Sequence, residues 1–482
     1  MHRLPLGRMA AAGLAAASLV VSAGIIAPAA AAPAAPAPPA APGAPAPGGS
    51  APAAAASPSA VPNPTVTRIP STAESRPFLS DTNLAGARFV EEEFSFSGKA
   101  NVYTIVPMTD ATVATPDLPY TSRMIVRRPA DPWRFNGVVV VEWLNVSAGY
   151  DIEAAWLPHR EHFLRQGYAW VGVSAQTVGV NFLKTWNPAR YGALDTTAGG
   201  RVTLGDPLSY DIYSQAVQAI RNPRGESPLG QLRPRHIMAT GASQSAFWLT
   251  NYHNSIHPLH KVIDSLLLTV GGTTLREGVG LKVMQVLSET DVRAPSTMKD
   301  SPTFRRWEVA GTSHFDENIR AALHPLLERD HPDGPPAGEC DSPPFSRVPL
   351  HHVTNAAIDH LHRWARGGAA PPSAPGLTFT TGPLGQPVLA RDANGLALGG
   401  IRLAAVEAPT AVNTGINSGA GFCLLYGSHA PFDKATLGRL YSSHHDYVGK
   451  VSAATLRNLA KGYVVPADAL ATIVAASRSD IP

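Results

Sequence analysis

Four consecutive valines, Val138 to Val141, follow an Asn-Gly turn dipeptide in NGVVVVEWLNVSAG, residues 136–149. A run with no polar residue at alternate positions has no face to offer to water. It reads as a strand buried on both sides. Strands of that kind belong to mostly parallel sheets with helices on both faces, so this stretch narrows the chain to the α/β class.

The rest of the sequence supplies the parts such a sheet needs. AAWLPHREHFLRQG (154–167) has helical apolar spacing and a glycine stop, and YAWVGVSAQ (168–176) reads as the next buried strand. SYDIYSQAVQAIRN (209–222) reads as a helix, RHIMATG as a strand, and SQSAFWLTNYHNSI as a helix. KVIDSLLLTVGG, LKVMQVLSETD and FRRWEVAGTSH are three further strands. Ahead of the valine run, FVEEEFSFSG, ANVYTIV and SRMIVRRP also read as strands. Strands alternating with helices predict an α/β core over 65–339 with a mostly parallel sheet. Residues 340–482 read as a partly helical C-terminal region packed on it. VTNAAIDHLHRWARGG, DKATLGRLY, AATLRNLAKG and PADALATIVAAS are its helices, with Asp433 and Pro466 where helix starts are expected.

The first residues differ in kind. Arg3 and Arg8 precede an apolar stretch from Met9 to Ile26, and Ala30 to Ala32 suits a signal peptidase. Residues 1–32 therefore read as a cleaved signal peptide. Residues 33–64, almost only Ala, Pro, Gly and Ser, read as a disordered linker. No second apolar span follows, so the mature chain is expected to be secreted, with no stable membrane span. A net charge of +3 and 16% charged residues give no nucleic-acid footprint. In an exported chain the two cysteines, Cys340 and Cys423, are expected to form a disulfide.

Chemistry concentrates at HIMATGASQSAFWL (236–249). A serine on a tight turn between strand and helix projects its hydroxyl into a cleft, with helix amides beside it. Such a turn tolerates only small residues two places before and after the nucleophile. For Ser243 these are Gly241 and Ser245; for Ser245 one of them is Phe247. Ser243 is therefore the candidate nucleophile, in a G-x-S-x-S version of the motif. An acid and a histidine should follow, each just after a strand. LSETDV offers Asp291, favoured, and Glu289 as the fallback; GTSHFD offers His314. The oxyanion site needs two backbone N–H groups. One is expected from Gln244, the other from Asn145 or Val146 after the valine strand. HHDY (444–447) and DHPDG (330–334) read as solvated loops. Trp143, Trp156, Trp186 and Tyr191 fit either a pocket wall or the core. No dinucleotide or phosphate-cradling glycine motif is present, and no metal or other cofactor is implied.

Taken together, YTSRMIVRRPADPWRFNGVVVVEWLNVSAG, GYAWVGVSAQTVGV, SYDIYSQA, GASQSA, LSETDV, VAGTSHFD, NAAIDHLHRWARGGAAPPSAP and YGSHAPFDKATLGRLYSSHHDYV resemble the secreted bacterial alpha/beta hydrolase domain-containing proteins. The resemblance runs from about Thr67 to the C-terminus. It implies the alpha/beta-hydrolase fold and a Ser-acid-His site at Ser243, Asp291 (or Glu289) and His314. The segment DTTAGGRVTLGD (195–206) is long for that pattern and is expected to alter the pocket mouth. The reading is a serine hydrolase of small-molecule or polymeric carboxylic esters. An acyltransferase with the same triad and a non-catalytic binding protein of the same fold are its alternatives.

Overall fold

The valine strand, β4 (Val138–Trp143), is buried at every position and hydrogen-bonds on both sides to parallel neighbours. In the computed structural model, which describes residues 61–482 apart from 73, 74, 82 and 337, it lies at the centre of a nine-stranded sheet. The other strands are β1 (Thr65–Ile69), β2 (Phe89–Thr104), β3 (Thr112–Pro129), β5 (Ala169–Val173), β6 (His236–Ala242), β7 (Ser265–Thr269), β8 (Lys282–Ser288) and β9 (Phe304–Val309). Their order is β1-β2-β3-β5-β4-β6-β7-β8-β9. From β5 to β9 every pairing is parallel, while β1, β2 and β3 pair antiparallel at one edge. The expected signal peptide and nearly all of the expected linker lie outside the described residues.

The core helices are α1 (Trp156–Gln166), α2 (Thr177–Trp186), α3 (Pro188–Tyr191), α4 (Ser209–Arg221), α5 (Gln244–Asn251), α6 (His257–His260), α7 (Glu317–Asp330) and α8 (Leu350–Ala365). Later come α9 (Ala404–Glu407), α10 (Cys423–Tyr426), α11 (Lys434–Leu440), α12 (His444–Ala460) and α13 (Pro466–Ser477). The period of two along β4 sorts its side chains between two cores. Val139, Val141 and Trp143 pack with Ile212, Tyr213, Val217 and Leu249 from α4 and α5. Val138 and Val140 pack on the other face with Trp156 and Phe163 of α1 and Ile358, Leu361 and Trp364 of α8. The alternation explains why valine suits each position: neither face of the strand meets water.

The structure carries the α/β hydrolase architecture read from the sequence and adds detail. FVEEEFSFSG and ANVYTIV are one continuous strand, β2, joined through a bulge near Ala100 and Val102. HHDY is the first turn of α12 and not a loop, because Ser443 caps the helix by accepting the Asp446 N–H. Asp433 caps α11 in the same way, and Pro466 stands in the first turn of α13. Cys340 and Cys423 are joined in a disulfide. Among the described residues, no helix is long and apolar enough to cross a membrane.

Candidate active site

Ser243 sits between β6 and α5 with φ 57° and ψ −121°, a backbone geometry that costs a non-glycine residue energy. Its surroundings hold it there. The Ser243 N–H donates to the Thr269 carbonyl at 3.0 Å. A Cβ at Gly241 would come within 2.9 Å of Leu249 and 3.0 Å of Ser245, and one at Gly271 would come within 2.8 Å of the Ser243 carbonyl. Two glycines thus let three backbone segments close on one residue. Gly271, from the turn after β7, is a part of this arrangement that sequence reasoning missed. Its signal was the Gly-Gly pair ending LLLTVGG.

Ser245 faces the other way. It is fully buried, its Oγ donates to the Ala242 carbonyl at 2.8 Å and accepts from the Ala242 N–H at 3.0 Å. The hydroxyl where the usual motif has glycine ties the turn together from within.

Asp291 and His314 meet. The loop after β8 forms a short turn, Glu289–Asp291, and the loop after β9 carries His314 behind the positive-φ Gly311. His314 Nδ1 lies 2.7 Å from Asp291 Oδ1. The other Asp291 oxygen accepts from the Ser288 hydroxyl at 2.5 Å, which fixes the carboxylate plane. The His314 N–H donates to Thr290 Oγ1 at 3.2 Å, so the two loops are stitched beside the pair. With Nδ1 occupied, His314 has Nε2 to turn to the cavity it lines.

Glu289 takes a different place. Its buried carboxylate accepts from the Gly311 N–H at 2.7 Å, the Gly415 N–H at 3.1 Å and Arg391 Nη2 at 2.7 Å. It joins the acid loop, the histidine loop and two C-terminal segments.

Of the three expected oxyanion donors, Asn145 is already engaged. Its N–H donates to the Ile152 carbonyl at 3.2 Å, and its side-chain amide donates to the Ala242 carbonyl at 2.9 Å. Asn145 therefore ties the β4 loop to the serine turn and has no backbone N–H to spare. The Val146 and Gln244 N–H groups have no acceptor among the described residues.

Ser243 and His314 line one cavity, which encloses about 1090 Å³ of empty space, part of it open to solvent. Its walls are largely apolar. Ile319 and Leu323 of α7, Phe422 beside the disulfide, and Leu425 and Tyr426 of α10 contribute to them. The last three come from the C-terminal region, and no local sequence signal marked them. Asp316 caps α7 at the cavity by accepting the Ile319 N–H at 3.0 Å, and burial raises its carboxyl pKa to about 6. Residues 195–206 contribute nothing to the lining. Trp143, Trp156, Trp186 and Tyr191 also lie outside it: Trp143 stacks on Trp248, and Trp186 donates to the Asp330 carbonyl at 2.7 Å.

A second serine, histidine and aspartate meet elsewhere. Ser214 Oγ lies 2.7 Å from His260 Nδ1, and His260 Nε2 lies 3.5 Å from Asp211. Ser214 is fully buried under β2, with Tyr103 closing the network, so these groups satisfy one another in the core.

A profile described as alpha/beta hydrolase domain matches residues 60–474. No curated protein matches the chain. Among solved structures, the chain is similar to an α/β serine hydrolase without a lid from Xanthomonas campestris, at 15% identity and a TM-score of 0.27 over 45% of this chain and 92% of that one. It is also similar to a glucuronoyl esterase from Solibacter usitatus, at 7% identity and a TM-score of 0.27 over 50% and 71%. A cold-adapted esterase from an Arctic intertidal metagenomic library matches at 15% identity and a TM-score of 0.23 over 41% and 72%. These likenesses are too distant to carry an activity across. The profile spans the sheet, the serine turn, both loops and the C-terminal region, and on that match the chain belongs to the alpha/beta hydrolase domain family.

Proposed function

We propose that the protein is a serine hydrolase of carboxylic esters, with Ser243 as nucleophile, His314 as general base and acid, and Asp291 as the orienting acid. The observation that carries the reading is the 2.7 Å His314–Asp291 pair lining the same cavity as a serine on a strained strand-to-helix turn. The expected signal peptide and the disulfide favour action outside the cytoplasm.

Ser243 Oγ attacks the ester carbonyl while its proton passes to His314 Nε2. The negative oxygen of the tetrahedral intermediate accepts from the Val146 and Gln244 N–H groups, and each such donor contributes about 10²–10³-fold to turnover in comparable sites. Collapse breaks the C–O bond. The leaving alkoxide takes the proton back from His314 and departs as an alcohol, leaving an acyl-enzyme. Water, deprotonated by His314, then attacks the acyl carbon; Ser243 recovers its proton and the acid leaves. Through both halves Asp291 accepts from Nδ1–H, which fixes the tautomer and stabilises the imidazolium.

The test is covalent labelling by a fluorophosphonate, together with a screen of aryl and alkyl esters against the protein and its Ser243→Ala variant. Labelling at Ser243 and ester turnover lost in the variant are expected. Turnover that persists in Ser243→Ala overturns the reading. Acyl transfer to an added alcohol with no net hydrolysis assigns the same residues to an acyltransferase.

A further inference from the structure

One part of the cavity wall is polar in a way that attack on an ester does not require. His159 of α1 and His351 of α8 line it alongside Thr354. His159 is 5% exposed. Its Nδ1 lies 2.9 Å from Asn355 Oδ1, and Asn355 Nδ2 donates to Asp468 Oδ2 at 2.7 Å. Asp468 also accepts from Arg165 at 3.3 Å.

This relay determines the histidine's tautomer. A carboxylate only accepts, so the Asn355 amide must present its NH₂ to Asp468 and its oxygen to His159. His159 Nδ1 must then carry the proton, and Nε2 is left as a bare acceptor. Nε2 has no partner among the described residues, although the ring lines the cavity. Burial holds His159 well below the usual histidine range, at about 3, so the ring is neutral at any ordinary pH. His351 is likewise pushed down by burial, helped by His352 and His159 nearby. Its Nδ1 is enclosed without a partner, which leaves Nε2 as the ring nitrogen open to a ligand. Two neutral imidazoles lining the same cavity thus hold unused hydrogen-bonding capacity, and buried polar groups are seldom left in that state.

We infer that this wall is a subsite for an uncharged hydroxyl group carried by the substrate, donated to His159 Nε2 and accepting from the N–H of His351. A hydroxyl is the group that gives one hydrogen bond and takes another at a single atom. Among the described residues no lysine or arginine lines the cavity to pair with a carboxylate, and the fixed acceptor at His159 would repel one. The inference rests on the ester-hydrolase reading only for the word ester. The proposed ligand is a hydroxylated acyl or alcohol chain, as opposed to a plain alkyl one.

The test measures binding separately from turnover. Calorimetry on the Ser243→Ala protein compares p-nitrophenyl hexanoate with its 3-, 4-, 5- and 6-hydroxy derivatives. At least one hydroxy isomer should bind about tenfold or more tighter than hexanoate, since a site built for a hydroxyl penalises its absence. That preference should vanish in Ser243→Ala/His159→Phe. If the second substitution unfolds the protein, ¹⁵N spectra of histidine in the Ser243→Ala protein serve instead. They should show one Nδ1–H tautomer whose Nε2 resonance moves with the preferred isomer and not with hexanoate. Equal binding of all five esters, a preference that survives His159→Phe, or the absence of such a tautomer overturns the inference. Ser243-dependent hydrolysis without hydroxyl preference would remove the subsite and keep the hydrolase. Hydroxyl-selective binding without Ser243-dependent hydrolysis would do the reverse.

Discussion

Two serines two residues apart have opposite surroundings, and substitution separates them. Ser243→Ala removes the proposed nucleophile and should abolish measurable ester turnover. Ser245→Ala removes two short contacts inside the turn and should keep a substantial share of turnover while lowering the melting temperature, at a cost of roughly 1–2 kcal/mol. The acids separate in the same way. Asp291→Asn should lower kcat by about 10³–10⁴-fold with folding intact, because a neutral amide favours the wrong tautomer of His314. Glu289→Gln should act on stability first. It replaces a buried carboxylate that accepts from two backbone N–H groups and an arginine, and circular dichroism melting should register it even where kcat holds. Asp316 gives a pH test. Burial raises its pKa in the fold to about 6, above an unfolded value of about 3.9, so the native state holds its proton longer. This one group's contribution to stability accordingly falls as pH rises from about 4 to 6, and levels off above that. Asp316→Asn should keep the cap on Ile319 and flatten that slope. The two melting curves should diverge in the variant's favour by roughly 2–3 kcal/mol across the window, whatever constant offset the amide adds. Parallel curves would place the titration elsewhere.

The elements that were legible in the sequence are those whose environment is uniform along their length. β4 is apolar at four successive positions because it is buried on both faces, and β6 and β7 read clearly for the same reason. The serine turn, the acid loop and the histidine loop were legible because each follows such a strand. Elements whose partners are distant were not. α7 carries Pro325 within it and packs Leu323 and Leu327 in a small separate core with Leu183 and Tyr191, so its spacing gave little signal. The choice between Asp291 and Glu289 depends on loop geometry, which is set by Arg391 and Gly415 far along the chain. α10 is too short to have a pattern of its own. Its position depends on the bond from Cys423 to Cys340, which closes a sequence separation of 83 residues. By the chain-entropy argument a loop of that size stabilises the fold by about 4–5 kcal/mol. Replacing both cysteines by alanine should lower the melting temperature. It should also raise KM more than it lowers kcat, because Phe422, Leu425 and Tyr426 line the cavity while Ser243, Asp291 and His314 are held by the sheet. Equal KM with and without the bond would show that this wall holds its place unaided.

At the scale of the whole molecule, α8 belongs to the sheet's packing as fully as α1 does. Ile358, Leu361 and Trp364 share one core with Trp307 of β9 and Val286 of β8. A chain ending at residue 339 would expose that face of the sheet and should be recovered insoluble or unfolded. Light scattering and calorimetry on the truncated chain check that expectation. The wall made by Phe422, Leu425 and Tyr426 has a further consequence, in time. Chains are made from the N-terminus at about 5–20 residues per second. Ser243 is therefore synthesised on the order of ten seconds or more before the residues that close the cavity around it. Until that late segment docks and its sulfurs are oxidised, the serine has half a pocket, and a reducing compartment extends the delay. On the proposed reading, a nascent chain meets an ester with this binding wall still incomplete.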